Sequence, residues 1–403
     1  MYVQSHSIGW LCYFYIMQFY SADFIFDGHT FLPDGNVLVM SDNGMVEAIL
    51  QNETNDSVKH LQGMLMPGMI NTHCHLELSH LKGMIPEHTG LVDFLLSVNR
   101  GRHTFTPEQI DVAILQAEQQ MIQNGIVAVG DISNSNHTLI QKQKRQLQYH
   151  TFVECVGLLD TNAQQRFEYS LNLCHEFEKL HPASVVLHAP YSASDTLIRL
   201  VNEVSANKRT TIHNQECEDE NELFLSGEGN FLRLFNAILQ DDSFFHASGK
   251  NSLQTYLPKL DQQEKLILVH NTVSSEEDIR MAHSLKKELY WCLCPNANLY
   301  IENRLPDIPM MMKNGCELLL GTDSLASNHQ LSILAEIQTI QRYFPAISLE
   351  EKLTWATSNG AKALGMDNTL GSFVKGKKPG MVQVENVVTR ERLPGDLVIR
   401  CRP

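Results

Sequence analysis

Residues 69–75 read Met69-Ile70-Asn71-Thr72-His73-Cys74-His75, a short apolar run closing on two histidines one residue apart. On an extended strand, side chains at i and i+2 share a face. The two imidazoles therefore converge while Cys74 points the other way. Seven more apolar, β-branched runs follow at 126–131, 151–157, 184–189, 209–213, 266–270, 289–294 and 316–322. Helical periodicity fills most of the gaps. Thr106-Pro107-Glu108, for example, supplies an N-cap and a first-turn proline ahead of residues 110–124. Eight strands alternating with helices predict an α/β fold, a (β/α)8 barrel, with a doubly wound open sheet as the alternative.

The ends of these runs carry the chemistry. The fifth closes on Thr211-Ile212-His213, the sixth on Leu268-Val269-His270 and the eighth on Gly321-Thr322-Asp323. In a barrel the C-terminal strand ends meet at one face. Four histidines and a carboxylate would share one pocket there, a donor set that suits zinc or iron(II) with a place left for water. The chain has 18 histidines, and a lone one at a strand end is more often structural. Five such residues in H-x-H or at separate strand ends are a pattern. Spacing alone does not separate ligand from catalyst among them.

Composition narrows the partners. Apolar residues make up 43% of the 403, enough for a large core. Lys plus Arg is 31 against 46 Asp plus Glu, a formal charge of −15 that argues against nucleic acid and for a neutral or cationic small molecule. Nine irregularly spaced cysteines read as free thiols in a reducing, cytoplasmic setting. No apolar run reaches the ~18 residues that would span a membrane. Residues 8–17 have the length of a signal-peptide core but no basic residue before them, the first being Lys59. They read instead as part of an extension, 1–16, ahead of Met17.

Flanking the barrel region, residues 20–26, 36–40 and 45–50 are separated by the turns Asp34-Gly35 and Asn43-Gly44, predicting a small antiparallel β unit. A second β patch falls at 371–388 and 397–399. The stretch 218–263 is too long for a β–α connection and reads as an insertion covering the site.

Taken in order, Met66-Pro67-Gly68 through His73-Cys74-His75, then His213, His270 and Gly321-Thr322-Asp323-Ser324, resemble the amidohydrolase superfamily of metal-dependent hydrolases. So does the C-terminal stretch Asn359-Gly-Ala-Lys-Ala-Leu-Gly365, Leu370-Gly-Ser372 and Gly376-Lys-Lys-Pro-Gly380, although Met381-Val382 replaces the usual Asp-Leu-Val. The resemblance implies a barrel at 67–366 and a small composite β-sandwich from both termini, 17–66 plus 367–403. Binuclear members place a lysine at the end of strand four. Here that strand reads Ser184-Val-Val-Leu-His188-Ala-Pro-Tyr191, which implies a single divalent metal, zinc first and iron(II) second.

His213-Asn-Gln-Glu216 is similar to the aminohydrolase branch, which includes adenosine-type and aminodeoxyfutalosine-type deaminases and chlorohydrolase-like proteins. The resemblance implies His73, His75, His213 and Asp323 as metal ligands. Asp323 would also accept the water proton, Glu216 would shuttle protons to the ring nitrogen and leaving amine, and His270 would assist the attacking oxygen. His188 would touch substrate. Cys294-Pro-Asn-Ala-Asn298 resembles the family's Pro-x-Ser-Asn stretch and puts Asn298 near it, and Glu77, just past the first strand, is a further candidate. Deamination of an amino-substituted heterocycle is the expected reaction. Its rivals are hydrolysis of another C–N or C–Cl bond and a catalytically silent metal-binding protein, and a homodimer is the default assembly. His75-Leu-Glu77 matches half of the cytidine-deaminase motif, but no P-C-x-x-C follows. Cys292 and Cys294, and Met310 to Met312, read as core.

Overall fold

The computed structural model describes residues 3–8, 11–53, 56–286 and 288–402. It divides into two compact units, one of Met1–Ile70, Met121–Ala128 and Ser332–Pro403, the other of Asn71–Gln120 and Val129–Leu331.

The eight apolar runs are eight strands: β1 (Met69–Cys74), β2 (Ile126–Ser133), β3 (Gln148–Cys155), β4 (Ala183–Leu187), β5 (Arg209–Asn214), β6 (Lys265–His270), β7 (Glu288–Leu293) and β8 (Glu317–Leu320). They form two four-stranded sheets, β1-β2-β3-β4 and β5-β6-β7-β8. Pairing from β5 to β8 is parallel, with His213 opposite Val269 and Val269 opposite Cys292. Parallel strands covered on both faces read as unbroken apolar runs, which is how they appear in the sequence. The sheets are also joined across their edges. The His213 amide donates to the His188 carbonyl at 3.0 Å, and the Thr322 amide donates to the His73 carbonyl at 3.1 Å.

Helix α1 (Leu91–Gly101) follows β1. The 218–263 stretch contains α2 (Glu218–Ser226), α3 (Asn230–Leu239) and the short helix Ser252–Tyr256. Leu91 and Phe94 of α1 and Phe231, Leu234 and Phe235 of α3 are buried in one cluster with Tyr191 and Phe224. Two helices thus stand over the strand ends and bury their apolar faces against each other. Met311 is buried in the helix Ile308–Lys313, and Cys292 and Cys294 are buried, as the sequence suggests.

The other unit carries a seven-stranded sheet. Its main path runs Ile399–Arg402, Met381–Val384, Val58–Pro67, Leu11–Ile25, Asn36–Ser41, Val46–Gln51. Segments from both ends of the chain therefore share one sheet. The expected antiparallel unit is present, with Leu11–Ile25, Asn36–Ser41 and Val46–Gln51 paired antiparallel, and the parallel pairing of Leu11–Ile25 with Val58–Pro67 makes the whole sheet mixed. Within 8–17, residues 9 and 10 lie outside the described residues, and Leu11 onward already belongs to a strand. Among the described residues, no helix is long and apolar enough to cross a membrane.

Candidate metal centre and active site

The alternation of β1 delivers His73 and His75 to one point. Their Nε2 atoms lie 3.2 Å apart, and His213 Nε2 from the end of β5 lies 3.2 Å from that of His75. Asp323 Oδ1 is 3.5 Å from His73 Nε2 and 3.3 Å from His75 Nε2. All four side chains are buried. The ligand atoms of His73, His75, His213 and Asp323 lie within 4.8 Å of one another, a grouping that could hold a metal ion.

Backbone geometry fixes each donor. Asp323 has φ +56°, its amide donates to the His73 carbonyl at 3.1 Å, and Ser327 Oγ donates to its Oδ2. Asn71 Oδ1 accepts from the Thr322 amide at 3.0 Å, lacing β1 to the same turn. His213 Nδ1 lies 2.7 Å from the His188 carbonyl oxygen. A carbonyl can only accept, so the proton sits on Nδ1 and Nε2 offers a lone pair. Burial pushes His213 down to about 4 and holds His75 well below the usual histidine range, keeping both imidazoles neutral.

The carboxyls in the same cavity divide. Burial opposes ionisation of Asp323, but the surrounding histidines overcome it and hold it well below the usual carboxylate range. Burial, reinforced by the Asp323 charge, raises Glu216 well above that range. Glu216 Oε1 lies 3.5 Å from His270 Nε2. On the other side of that ring, the Asn298 amide nitrogen is 3.2 Å from Nδ1 and 2.9 Å from Thr272 Oγ1. With the amide donating to Nδ1, the His270 proton resides on Nε2 and faces the cavity.

A cavity of about 640 Å3 opens over these groups. His75, His213, Glu216, His270 and Asp323 line its floor, with His188 beside them. Leu91, Leu95 and Val98 of α1 and Ile238 and Leu239 of α3 supply an apolar wall, and among the described residues no lysine lines the cavity. His188 Nδ1 is 3.0 Å from Ser192 Oγ. Asn298 and Glu77 are not among the lining residues. Asn298 sits behind His270, and the Glu77 carboxylate accepts from Asn134 N, Ser135 N and Ser135 Oγ.

Two acids had gone unread in the sequence. Glu154, near the end of β3, lies 3.4 Å from His213 Nδ1, and burial raises it to about 8. A lone carboxylate inside the apolar run Phe152-Val153-Glu154-Cys155 was the available signal. Glu154, His188 and His213 also form a second group of the kind that could hold a metal, but it shares His213, whose Nδ1 is engaged by the His188 carbonyl. Glu220 lies beneath the Glu216 turn.

The sequence model of the amidohydrolase family matches residues 64–391. The chain is 25% identical over 351 residues to the aminodeoxyfutalosine deaminase of Nitratiruptor sp., covering 84% of each chain. Its fold is similar to that of Helicobacter pylori aminofutalosine deaminase in complex with methylthio-coformycin, with a TM-score of 0.80, 22% identity and coverage of 93% and 94%. A Xanthomonas campestris adenosine deaminase with bound zinc aligns with a TM-score of 0.73, 20% identity and coverage of 91% and 84%.

Proposed function

Because the chain belongs to the amidohydrolase family, we propose that it is an aminohydrolase that deaminates an amino-substituted heterocycle of nucleoside-like type. The observation that carries this reading is the meeting of Asp323 and Glu216 at one cavity floor, in surroundings that hold the first well below the usual carboxylate range and raise the second well above it. Hydrolytic deamination needs both a base for water and an acid for nitrogen.

His73, His75, His213 and Asp323 would hold one divalent metal. The donor set fits: His213 Nε2 carries a lone pair, and the ligand atoms of the four buried side chains lie within 4.8 Å of one another. Three nitrogens and one carboxylate favour zinc, with iron(II) second. When bound, such an ion acts as a Lewis acid and lowers the pKa of water from ~15.7 toward ~7. Asp323 accepts the proton of the attacking water, and the His270 Nε2–H donates to the oxygen that bonds to carbon. Glu216 delivers its proton to the ring nitrogen. The proton of the newly added hydroxyl then passes through Glu216 to the amino group, the C–N bond breaks as the carbonyl forms, and the nitrogen leaves as ammonia. His188, on the cavity wall, positions the heterocycle. Asn298 and Glu77, first read as substrate contacts, act behind the surface by holding His270 and the 134–135 turn.

The joined edges of the two sheets support a (β/α)8 barrel, which we assign to 67–366. The sheet shared by both ends of the chain supports a composite sandwich of 17–66 plus 367–403. A homodimer and a cytoplasmic location complete the proposal.

The test is a panel of 6-aminopurine nucleosides, aminopterins and chloro- and amino-triazines, assayed with metal-replete protein for released ammonia and chloride. Ammonia from an amino-heterocycle is the expected result. Chloride release alone, or tight metal with no turnover of any compound, would overturn the assignment.

A further inference from the structure

Glu216 leaves β5 through a strained turn. Gln215, just before it, is a non-glycine residue with φ +44°, a conformation that persists only where its surroundings hold it. The hold is visible. Glu220, the third residue of α2 and fully buried, points its carboxylate back at the turn. Its Oε1 accepts from the Gln215 amide at 3.0 Å and its Oε2 from the Glu216 amide at 3.2 Å. Ser252 Oγ, from the short helix later in the same insertion, also donates to Oε1. One carboxylate therefore receives the two consecutive backbone N–H groups of the pair that aims Glu216 at His270, and a hydroxyl from the insertion.

The Gln215 side chain is pinned as well. Its Nε2 donates to Asn221 Oδ1 at 3.1 Å and Asp278 Oδ2 at 3.2 Å, and its Oε1 accepts from Ser274 Oγ at 2.6 Å. The insertion over the cavity is thus tied to the turn by hydrogen bonds as well as covering it.

We infer that Glu220 is a positioning residue: its carboxylate clamps the Gln215–Glu216 turn and through it fixes the Glu216 carboxyl against His270. This rests on Glu216 being the proton carrier. A carboxylate offers acceptor sites on both oxygens, enough for all three donors. In Glu220→Gln one oxygen becomes an NH2 group that faces a backbone N–H, so one amide of the turn loses its partner while side-chain volume is kept.

Crystal structures of metal-loaded wild type and Glu220→Gln test this without any substrate. Gln215 is expected to leave the left-handed region, and Glu216 Oε1 to move away from His270 Nε2. An unchanged turn would overturn the clamp. Kinetics on the amino-heterocycle that releases ammonia give a second reading. Glu220→Gln should keep its metal and KM yet lose ~10-fold or more in kcat, and the loss should vanish in a Glu216→Gln background because the two act as one unit. Additive losses would mean that Glu220 supports the fold generally. Ser252→Ala, which removes only the third donor, is run in the same cycle should Glu220→Gln fail to fold. A smaller, equally non-additive loss is expected. If Glu216→Gln itself turns over normally, the deaminase reading falls, whatever Glu220 does.

Discussion

The Nδ1 atom of His213 lies 2.7 Å from the backbone carbonyl oxygen of His188, so the last residue before the β4 turn selects the tautomer of an imidazole on the next strand. Because this contact is made by backbone, truncating the His188 side chain leaves it in place. His188→Ala is therefore expected to retain full metal content while kcat/KM falls at least ~10-fold through loss of a substrate contact. Elemental analysis beside steady-state kinetics checks both halves. Loss of metal in this variant would show that His188 is a ligand.

Glu216→Gln preserves size and hydrogen bonding but carries no proton. The expected loss in kcat is at least ~10²-fold, the low end for a general acid–base group, with metal and fold intact. Wild-type kcat should fall as pH rises through the elevated Glu216 pKa, because only the protonated acid can donate. A pH–rate profile of each protein reads this out, and the alkaline limb belonging to Glu216 should be missing from the variant.

Metal stoichiometry provides a separate check. The four grouped donors and a cavity without a lysine lead to about one divalent ion per chain. Inductively coupled plasma analysis of saturated protein should find one. Two ions with a bridging ligand would contradict the mononuclear reading. Chelation is expected to abolish turnover and to lower the melting temperature, since ligand binding to the native state is stabilising.

Lys142 and Asp131 form an ion pair at 2.5 Å with both side chains fully buried, and the other Asp131 oxygen accepts from the Leu76 amide at 2.9 Å, next to His75. Lys142→Met should destabilise by about 3–5 kcal/mol, because it strands a buried carboxylate. Denaturant unfolding measures this. The double variant with Asp131→Asn should recover part of the loss, and no recovery would show that the pair is not the source.

His150 packs against Phe152, with its Nε2 2.8 Å from Ser184 Oγ, and burial lowers its pKa from the ordinary histidine range to about 3. The native state resists protonation there and the unfolded chain does not. Stability is therefore undiminished above the unfolded value and falls as pH drops from about 6.5 toward 3, by up to about 1.4 kcal/mol per pH unit. His150→Gln should flatten that part of the acid limb in a series of unfolding curves.

The sequence was most legible where strands are covered on both faces. All eight strands lie within three residues of their apolar runs, and the strand-end residues His73, His75, His213, His270 and Asp323 do meet. The strand Val58–Pro67 escaped because its first half, Val58 to Gln62, is largely exposed and polar, so only its end reads as apolar. For Asn298 the sequence offers only the resemblance of Cys294-Pro-Asn-Ala-Asn298 to the family's Pro-x-Ser-Asn stretch, which does not say which way the amide faces. The helix that begins at Pro295 turns its amide to the back of His270. Glu220 sits in the acidic first turn of α2 with Glu218 and Asp219, where acidic residues ordinarily answer the helix dipole, and only tertiary contacts distinguish it.

Asn71 and Thr322, whose hydrogen bonds lace the centre together, stand 251 positions apart along the chain. At translation rates of ~5–20 residues per second, the first two histidines leave the ribosome roughly 13–50 s before the carboxylate does. For the first part of that interval a nascent chain carries only two of the four grouped donors, and His213 joins them before the carboxylate does. On the proposed ligand set, selection of an ion would therefore belong to the completed polypeptide.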